Sequence, residues 1–349
     1  MRGCRATTDW TFKGMRTLIL ENENLRVVCL LDKGSDIMEI VYKPLDVDFM
    51  WQNEAATWRN PSAYVPTIGT SQASFLDLYG GGWQDCLPNP GGRFRGAEWG
   101  LHGESPLLPW DCVIEEKGGD EAVARLSVEL VRYPFRVDKW MSIRRGEKSF
   151  TIRERLTNLS PVDLEFHWLQ HATYGEPFLS PECRIDAGAG EVIVPPGEVS
   201  PAKRLMPDQR AAWPRVKGAH GEEVNLQEVP ARTRRLEDFC VLTAFHEGWY
   251  TVTNQALKLG FGLAFDKAMF KHVWYWQSLG GGMNYPWWGR TWNIGLEPST
   301  TIPGNWEEQA KRGELAVVKA NSAVETVIKA VAYTGLTKVN RMTQEGTVE

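Results

Sequence analysis

The chain has no apolar run approaching the roughly 20 residues that a membrane-spanning helix needs, so no membrane partner is expected. No apolar core follows the charged residues near the N-terminus, which argues against a secretory leader. The six cysteines (Cys4, Cys29, Cys86, Cys112, Cys183 and Cys240) show no C-x-x-C spacing. Reduced thiols and a cytoplasmic location are therefore expected. There is no basic patch: 39 Lys and Arg are interleaved with 44 Asp and Glu, leaving a net charge of -5. Nucleic acid is accordingly not an expected partner. Helix signals are scarce, the best being Asn305–Arg312 with Asn305 as cap and Gly313 as stop. No strand–helix alternation runs through the sequence, which argues against Rossmann and TIM architectures.

What the sequence does have is period-two alternation. Leu126, Val128 and Leu130 alternate with Arg125, Ser127 and Glu129; Phe150, Ile152 and Leu156 alternate with Thr151, Arg153 and Arg155. Both segments read as strands with one wet face. Similar runs occupy 17–20, 25–31, 36–42, 111–116, 137–143, 164–171, 257–265, 273–279, 291–297, 314–319 and 324–332. So many antiparallel strands exceed what one twisted sheet holds. The expected fold is all-β, two large sheets packed face to face in a single domain over 1–349. Its core should span about residues 15–335, with 1–14 and the tail from about 340 peripheral and 194–214 a surface excursion. An apolar edge strand would suit a homodimer. Sixteen tryptophans exceed what a core requires and suit stacking on sugar rings, whose C–H faces lie between hydroxyl edges.

Three polar segments carry the chemistry. The first, Tyr79–Glu104, contains Gly80, Gly81, Gly82, Gly91 and Gly92 and reads as a long functional loop. It is not a phosphate loop, because no Gly-Lys-Ser or Gly-Lys-Thr opens a helix there. It presents His102 and Glu104, with Gln84, Arg93 and Arg95 as candidate hydroxyl or phosphate clamps. In the second segment, His167 and His171 share a strand face. Four residues of strand span roughly 13 Å, which disfavours one metal bound by both. His171 lies where the strand runs out toward a cleft rim, and His167 reads as structural. The third places Asn293, Gly295 and Glu297 on one strand face, with Gly295 leaving room for a ligand ring above the carboxylate and Pro298 ending the ladder. Trp276 and Asp266 are further candidate sugar contacts. Imidazole and carboxylate in one cleft make an acid–base pair suited to opening and closing a sugar ring.

The order of these segments, and GGWQDCLPNPGG, LHGE, HATYGEPF and GLEP within them, resembles the aldose 1-epimerase (galactose mutarotase-like) family over roughly residues 15–335. The resemblance implies a β-supersandwich and an isomerase that interconverts the anomers of a sugar or sugar derivative. It implies Glu297 as general base on the anomeric hydroxyl, His171 as general acid on the ring oxygen, and His102 as a group that binds and polarises the sugar. It requires no metal or other cofactor. Gln170 stands where family members usually carry Asn. The alternative on the same scaffold is a sugar-binding or sensing protein without turnover. The enzyme reading expects His102, His171 and Glu297 in one pocket, with His171 and Glu297 about a sugar ring apart.

Overall fold

The computed structural model describes residues 3–64, 71–89 and 92–349. Among them, fourteen strands form one sheet and eight form a second. The eight-stranded sheet runs Asp111–Glu116, Glu121–Glu129, Phe135–Arg144, Ser149–Asn158, Ala323–Thr334, Leu259–Phe265, Trp249–Asn254 and Cys183–Ala187, all antiparallel. Its alternating residues do what the period predicts: Ala122, Ala124, Leu126 and Val128 are buried, while Arg125 and Glu129 stay wet. They pack against the inner face of the large sheet, where Leu18, Leu20, Val27 and Ile40 are fully buried. One apolar cluster draws on both sheets.

The centre of the large sheet positions the chemistry. Its order there is Asp36–Tyr42, Trp83–Cys86, Leu169–Gly175, Trp292–Ser299, His272–Leu279 and Leu236–Thr243. Trp83–Cys86 corrects the sequence reading, which placed it in a loop. Both its faces are covered, so it shows no alternation for a period to reveal. It starts immediately after Gly82, whose left-handed φ of 77° makes the turn into the strand. The run expected over 164–171 is two strands, Leu164–Phe166 in a small sheet and Leu169–Gly175 in the large one, and His167 and Trp168 bridge them.

The supposed periphery also belongs to the fold. Cys4–Thr7 pairs with Met15–Glu21. Gln209–Ala212, inside the expected excursion, pairs with Glu191–Val194. Met342 in the tail is fully buried against a second apolar cluster. The helix expected near Asn305 forms over Trp306–Lys311, where the Asn305 side chain accepts from the Glu308 N–H. Among the described residues no helix is long and apolar enough to cross a membrane.

Candidate functional site

The outer face of the large sheet builds the floor of a hollow by strand register. Leu169 lies opposite Ser299 and Thr173 opposite Gly295, so His171 falls opposite Glu297. On the other flanks, Gln84 lies opposite His171 and Trp274 opposite Glu297. The neighbouring row reads Thr173, Gly295, Trp276 and Phe239. Strands from four distant stretches of chain thus set an imidazole and a carboxylate side by side. The strand of Glu297 is central, with Pro298 inside the ladder and Ser299 paired on both sides; the sequence reading had Pro298 end it.

His171 Nε2 stands 3.6 Å from Glu297 Oε1. That is closer than the expected ring-width separation, because directly opposed residues on paired strands bring their side chains together. Gly295 makes room for the carboxylate: a Cβ at that position would fall 2.2 Å from Glu297 Oε1. Both side chains are nearly buried. Burial pushes the His171 imidazole down to about 4 and holds the Glu297 carboxyl well above its usual range. Both shifts disfavour charge: burial favours the neutral imidazole and biases the carboxyl toward its protonated form.

A hydrogen-bond chain orients the imidazole. The Tyr79 hydroxyl donates to Thr173 Oγ1 (3.2 Å), which donates to the Gly82 carbonyl (2.7 Å). A carbonyl only accepts, so the donors point away from the ring. His171 Nδ1–H therefore donates to the Tyr79 oxygen (3.3 Å). The tautomer that results turns a bare Nε2 toward Glu297.

His102 closes one side of the hollow. Its backbone is left-handed, with φ of 64°, a conformation that a non-glycine residue adopts at a cost of order 1–3 kcal/mol and that clusters at functional sites. Asn89 Oδ1 lies 3.1 Å from Nδ1, which leaves Nε2 as the free nitrogen. Burial, reinforced by His171 and His167, holds this imidazole well below its ordinary pKa. Neutral His102 thus offers an acceptor rather than a cation. Its ring centroid is 4.9 Å from that of His171 and 4.5 Å from Phe75. Trp276 and Trp287, 5.2 Å apart, form the opposite wall. The hollow is partly open to solvent, with a volume of about 170 Å³, and is lined largely by aromatic and aliphatic side chains.

The structure thus brings Glu297, His171, His102 and Trp276 to one hollow, and leaves the other sequence candidates outside it. Gln84 shares the floor face but is fully buried, donating to Asp36 (3.1 Å) and to the Gly81 carbonyl (2.5 Å). Arg95 is turned away, bonded to Glu165 and to the Asp163 carbonyl. Arg93 is exposed on the hairpin Gly92–Phe94/Ala97–Trp99; Gly91 lies outside the described residues. Glu104 accepts from the backbone N–H groups of Val131 and Arg132, tying two loops together. Asp266 accepts from Ala268 N–H at a turn and borders a separate, larger hollow of about 580 Å³. In that hollow Arg341 is bound to Glu247. His167 is structural, held between the Asn89 carbonyl (3.1 Å) and Ser299 Oγ (2.8 Å).

Sequence reasoning missed Tyr79, Thr173 and Asn89, which orient the two histidines. Nothing in their local pattern marks them: Thr173 is placed by cross-strand register, and Tyr79 and Asn89 arrive on connections. It also missed the support beneath the floor. Gln170 points inward, accepting from Trp83 Nε1 (2.8 Å) and donating to Glu154 (2.9 Å). Glu154 shares Lys139 with Asp85, at 3.7 and 3.2 Å. This buried charge cluster lies on the far side of the strand that carries His171. Glu154 sits at a position where the alternation of its strand calls for an apolar side chain.

Solved structures share this fold over nearly the whole chain. A proposed aldose 1-epimerase from Klebsiella pneumoniae subsp. pneumoniae is 14% identical and superposes with a TM-score of 0.70, covering 94% of this chain and 83% of its own. A galactose mutarotase-like protein from Clostridium acetobutylicum is 11% identical, with a TM-score of 0.65 over 95% of this chain and 99% of its own. A galactose mutarotase-like protein from Lactobacillus casei is 12% identical, with a TM-score of 0.57 over 91% and 100%. Identities this low establish the architecture, the mutarotase-like β-supersandwich, and not a reaction. No curated protein matches the chain. Residues 12–330 match the family described as a domain of unknown function, DUF4432, and the chain belongs to that family.

Proposed function

We propose that the protein is an acid–base sugar epimerase that interconverts the anomers of a small aldose by opening and reclosing its ring. The observation that carries this reading is the opposition of His171 Nε2 and Glu297 Oε1 at 3.6 Å in an aromatic hollow. The anomeric hydroxyl and the ring oxygen of a cyclic aldose share one carbon. An acid and a base that are themselves neighbours therefore reach both oxygens of a sugar lying over them.

The proton bookkeeping closes on the pair. Burial favours the pair with its shared proton on the carboxyl. The anomeric hydroxyl of an arriving sugar supplies Glu297 with the hydrogen bond that burial removed, which favours the ionised carboxylate. The proton then passes to His171 Nε2. Glu297 takes the proton of the anomeric hydroxyl while His171 gives its own to the ring oxygen, and the bond between that oxygen and the anomeric carbon breaks. The free aldehyde rotates about its bond to the next carbon, and reclosure on the other face runs the same transfers backward. One proton remains on the pair after each half-reaction. His102 Nε2 accepts from a neighbouring hydroxyl, and Trp276 supplies a face for the sugar ring.

Exchange spectroscopy of a panel of free aldoses tests the reading. Glu297→Gln and His171→Ala should each slow anomer exchange by about 10²–10⁴-fold, the usual contribution of one general acid or base. The double variant should be no slower than the slower single one, because both groups serve one transfer. Full activity in either single variant refutes the assignment. Calorimetric binding of a sugar by the wild type without any acceleration would instead make this a sensor on the same scaffold.

A further inference from the structure

Resting on that reading of the site, we propose that the turn over 283–288 is a second saccharide subsite, so that the aldose in the hollow is the reducing end of a disaccharide or longer chain. The hollow itself has room for one ring, at about 170 Å³, and is partly open to solvent. His171 and Glu297 stand on its floor. With a face against the Trp276 wall, a ring meets that pair with its anomeric end. In a pyranose, carbon 4 lies across the ring from the anomeric carbon. It therefore points toward the mouth, and whatever is attached to it meets the rim.

That rim carries an aromatic platform. Tyr285 belongs to the turn that supplies the wall residue Trp287, where the N–H groups of Trp287 and Trp288 both donate to the Asn284 carbonyl (2.9 Å). Its hydroxyl reaches the other wall and donates to Asp77 Oδ1 (2.8 Å), beside the lining residue Leu76. Asp77 is fixed in turn by the Tyr64 hydroxyl, which donates to its second oxygen (3.2 Å). Both ends of the Tyr285 phenol thus stand on wall segments, while the ring itself lies outside the hollow, at the margin of its mouth. Tyr285 is still 47% exposed. Its hydroxyl is spent and its face is wet.

The rest of the turn suits the same use. Met283 and Trp288 are 53% and 58% exposed, so three large apolar side chains face water within six residues. Clustered exposure of this kind marks a contact surface. Trp288 also holds a left-handed backbone, with φ of 53°, a strained state that clusters at ligand clamps. The turn is pinned where Gly289 N–H donates to the Gly282 carbonyl (2.7 Å) and the Arg290 guanidinium to the Glu54 carbonyl (2.5 Å). A sugar ring is the occupant that fits. Tyr and Trp faces take the C–H face of a pyranose, and the platform continues the wall of a hollow that holds the first ring. One short turn falls far short of the roughly 1,000 Å² that a stable protein interface buries.

Matched sugars test this. Cellobiose, maltose and lactose are each compared with glucose, their shared reducing end, and the 1,4-linked dimers of galactose, mannose and xylose with their monomers. 4-O-Methylglucose serves as a substituent without a second ring. Binding is read by calorimetry and turnover by exchange spectroscopy. The best-fitting disaccharide should bind about tenfold more tightly than its own reducing-end monomer, the worth of one stacked ring, and the methyl ether should bind like glucose. Tyr285→Ala should erase that advantage, Tyr285→Phe, which keeps the ring, should retain most of it, and Trp288→Ala should reduce it. No advantage in any pair, or an advantage that survives both alanine variants intact, overturns the proposal, even where the monomer is epimerised and the acid–base reading stands. Tighter disaccharide binding that is lost in Tyr285→Ala, with no turnover of either member, supports the subsite and removes the epimerase reading. No binding of any sugar overturns both.

Discussion

Gly295→Ala should switch off chemistry while leaving folding intact. Gly295 is an interior strand residue outside the left-handed region, so alanine meets no backbone strain there. The three atoms nearest to the added Cβ all belong to one side chain, with Oε1, Cδ and Cγ of Glu297 at 2.2, 3.2 and 3.4 Å. Ordinary contact begins near about 3.5 Å, so the carboxylate must swing by about 1 Å and leave its position opposite His171. A displacement of that size at a reacting group costs about 10²-fold in rate, or about 2.7 kcal/mol of transition-state stabilisation. Folding should move the other way: a glycine replaced at a compatible position loses unfolded-state freedom, worth about 0.4–1 kcal/mol. Two measurements decide it, anomer exchange on the sugar that the wild type turns over best and the denaturant midpoint. In a Glu297→Gln background the same alanine should cost no further rate. An alanine variant that folds normally and epimerises at the wild-type rate refutes the claim that this glycine holds the space for the base.

Three other perturbations follow from the structure. Tyr79→Phe removes the hydroxyl that accepts from His171 Nδ1 and frees the tautomer; exchange should slow by about tenfold, the worth of one good hydrogen bond to the ring, and the pH–rate profile should shift with little change in sugar affinity. A merely structural tyrosine would leave that profile in place. Burial pushes His167 down to about 3, so its folded pKa lies below its unfolded value near 6.5. The stabilisation this gives is complete above pH 6.5 and declines as pH falls toward 3, amounting to about 2 kcal/mol lost by pH 5. His167→Gln should remove that part of the slope in denaturation curves taken from pH 8 to 5, and an unchanged slope would exclude the neutral buried imidazole. Lys139→Met strands Asp85 and Glu154 without their cation; a loss of about 3–5 kcal/mol is expected, and a wild-type midpoint would show that the cluster reorganises at no cost.

The sequence made the β class and most strands legible because one face of each was wet: Glu121–Glu129 and Ser149–Asn158 alternate as a half-buried sheet must. It also singled out Glu297, His171 and His102, through the order of three polar segments, and the structure sets all three in one hollow. Period two names a face and stays silent on neighbours. The opposition of His171 and Glu297, far apart in sequence, is a fact of sheet order. So is the arrival of Thr173 beside the imidazole, while Tyr79 comes from the turn after Ser71–Leu76. Trp83–Cys86 escaped for a different reason: covered on both sides, it carries Gln84 and Asp85 where a one-sided strand would show solvent. Arg93, Arg95, Glu104 and Asp266 were chosen by residue type and loop position, and each is absorbed by a local partner or an exposed turn that sequence spacing does not reveal.

His171 and Glu297 stand on inner strands whose backbones are bonded to neighbours on both flanks, so their placement cannot drift without tearing the sheet. The sides of the hollow come instead from connections: Phe75 from the short helix Ser71–Leu76 and Trp287 from the turn closed on Asn284. Such segments tolerate replacement far better than a paired strand does. A lineage built this way is free to reshape the hollow by rewriting two loops, and inherits the opposed imidazole and carboxyl unchanged.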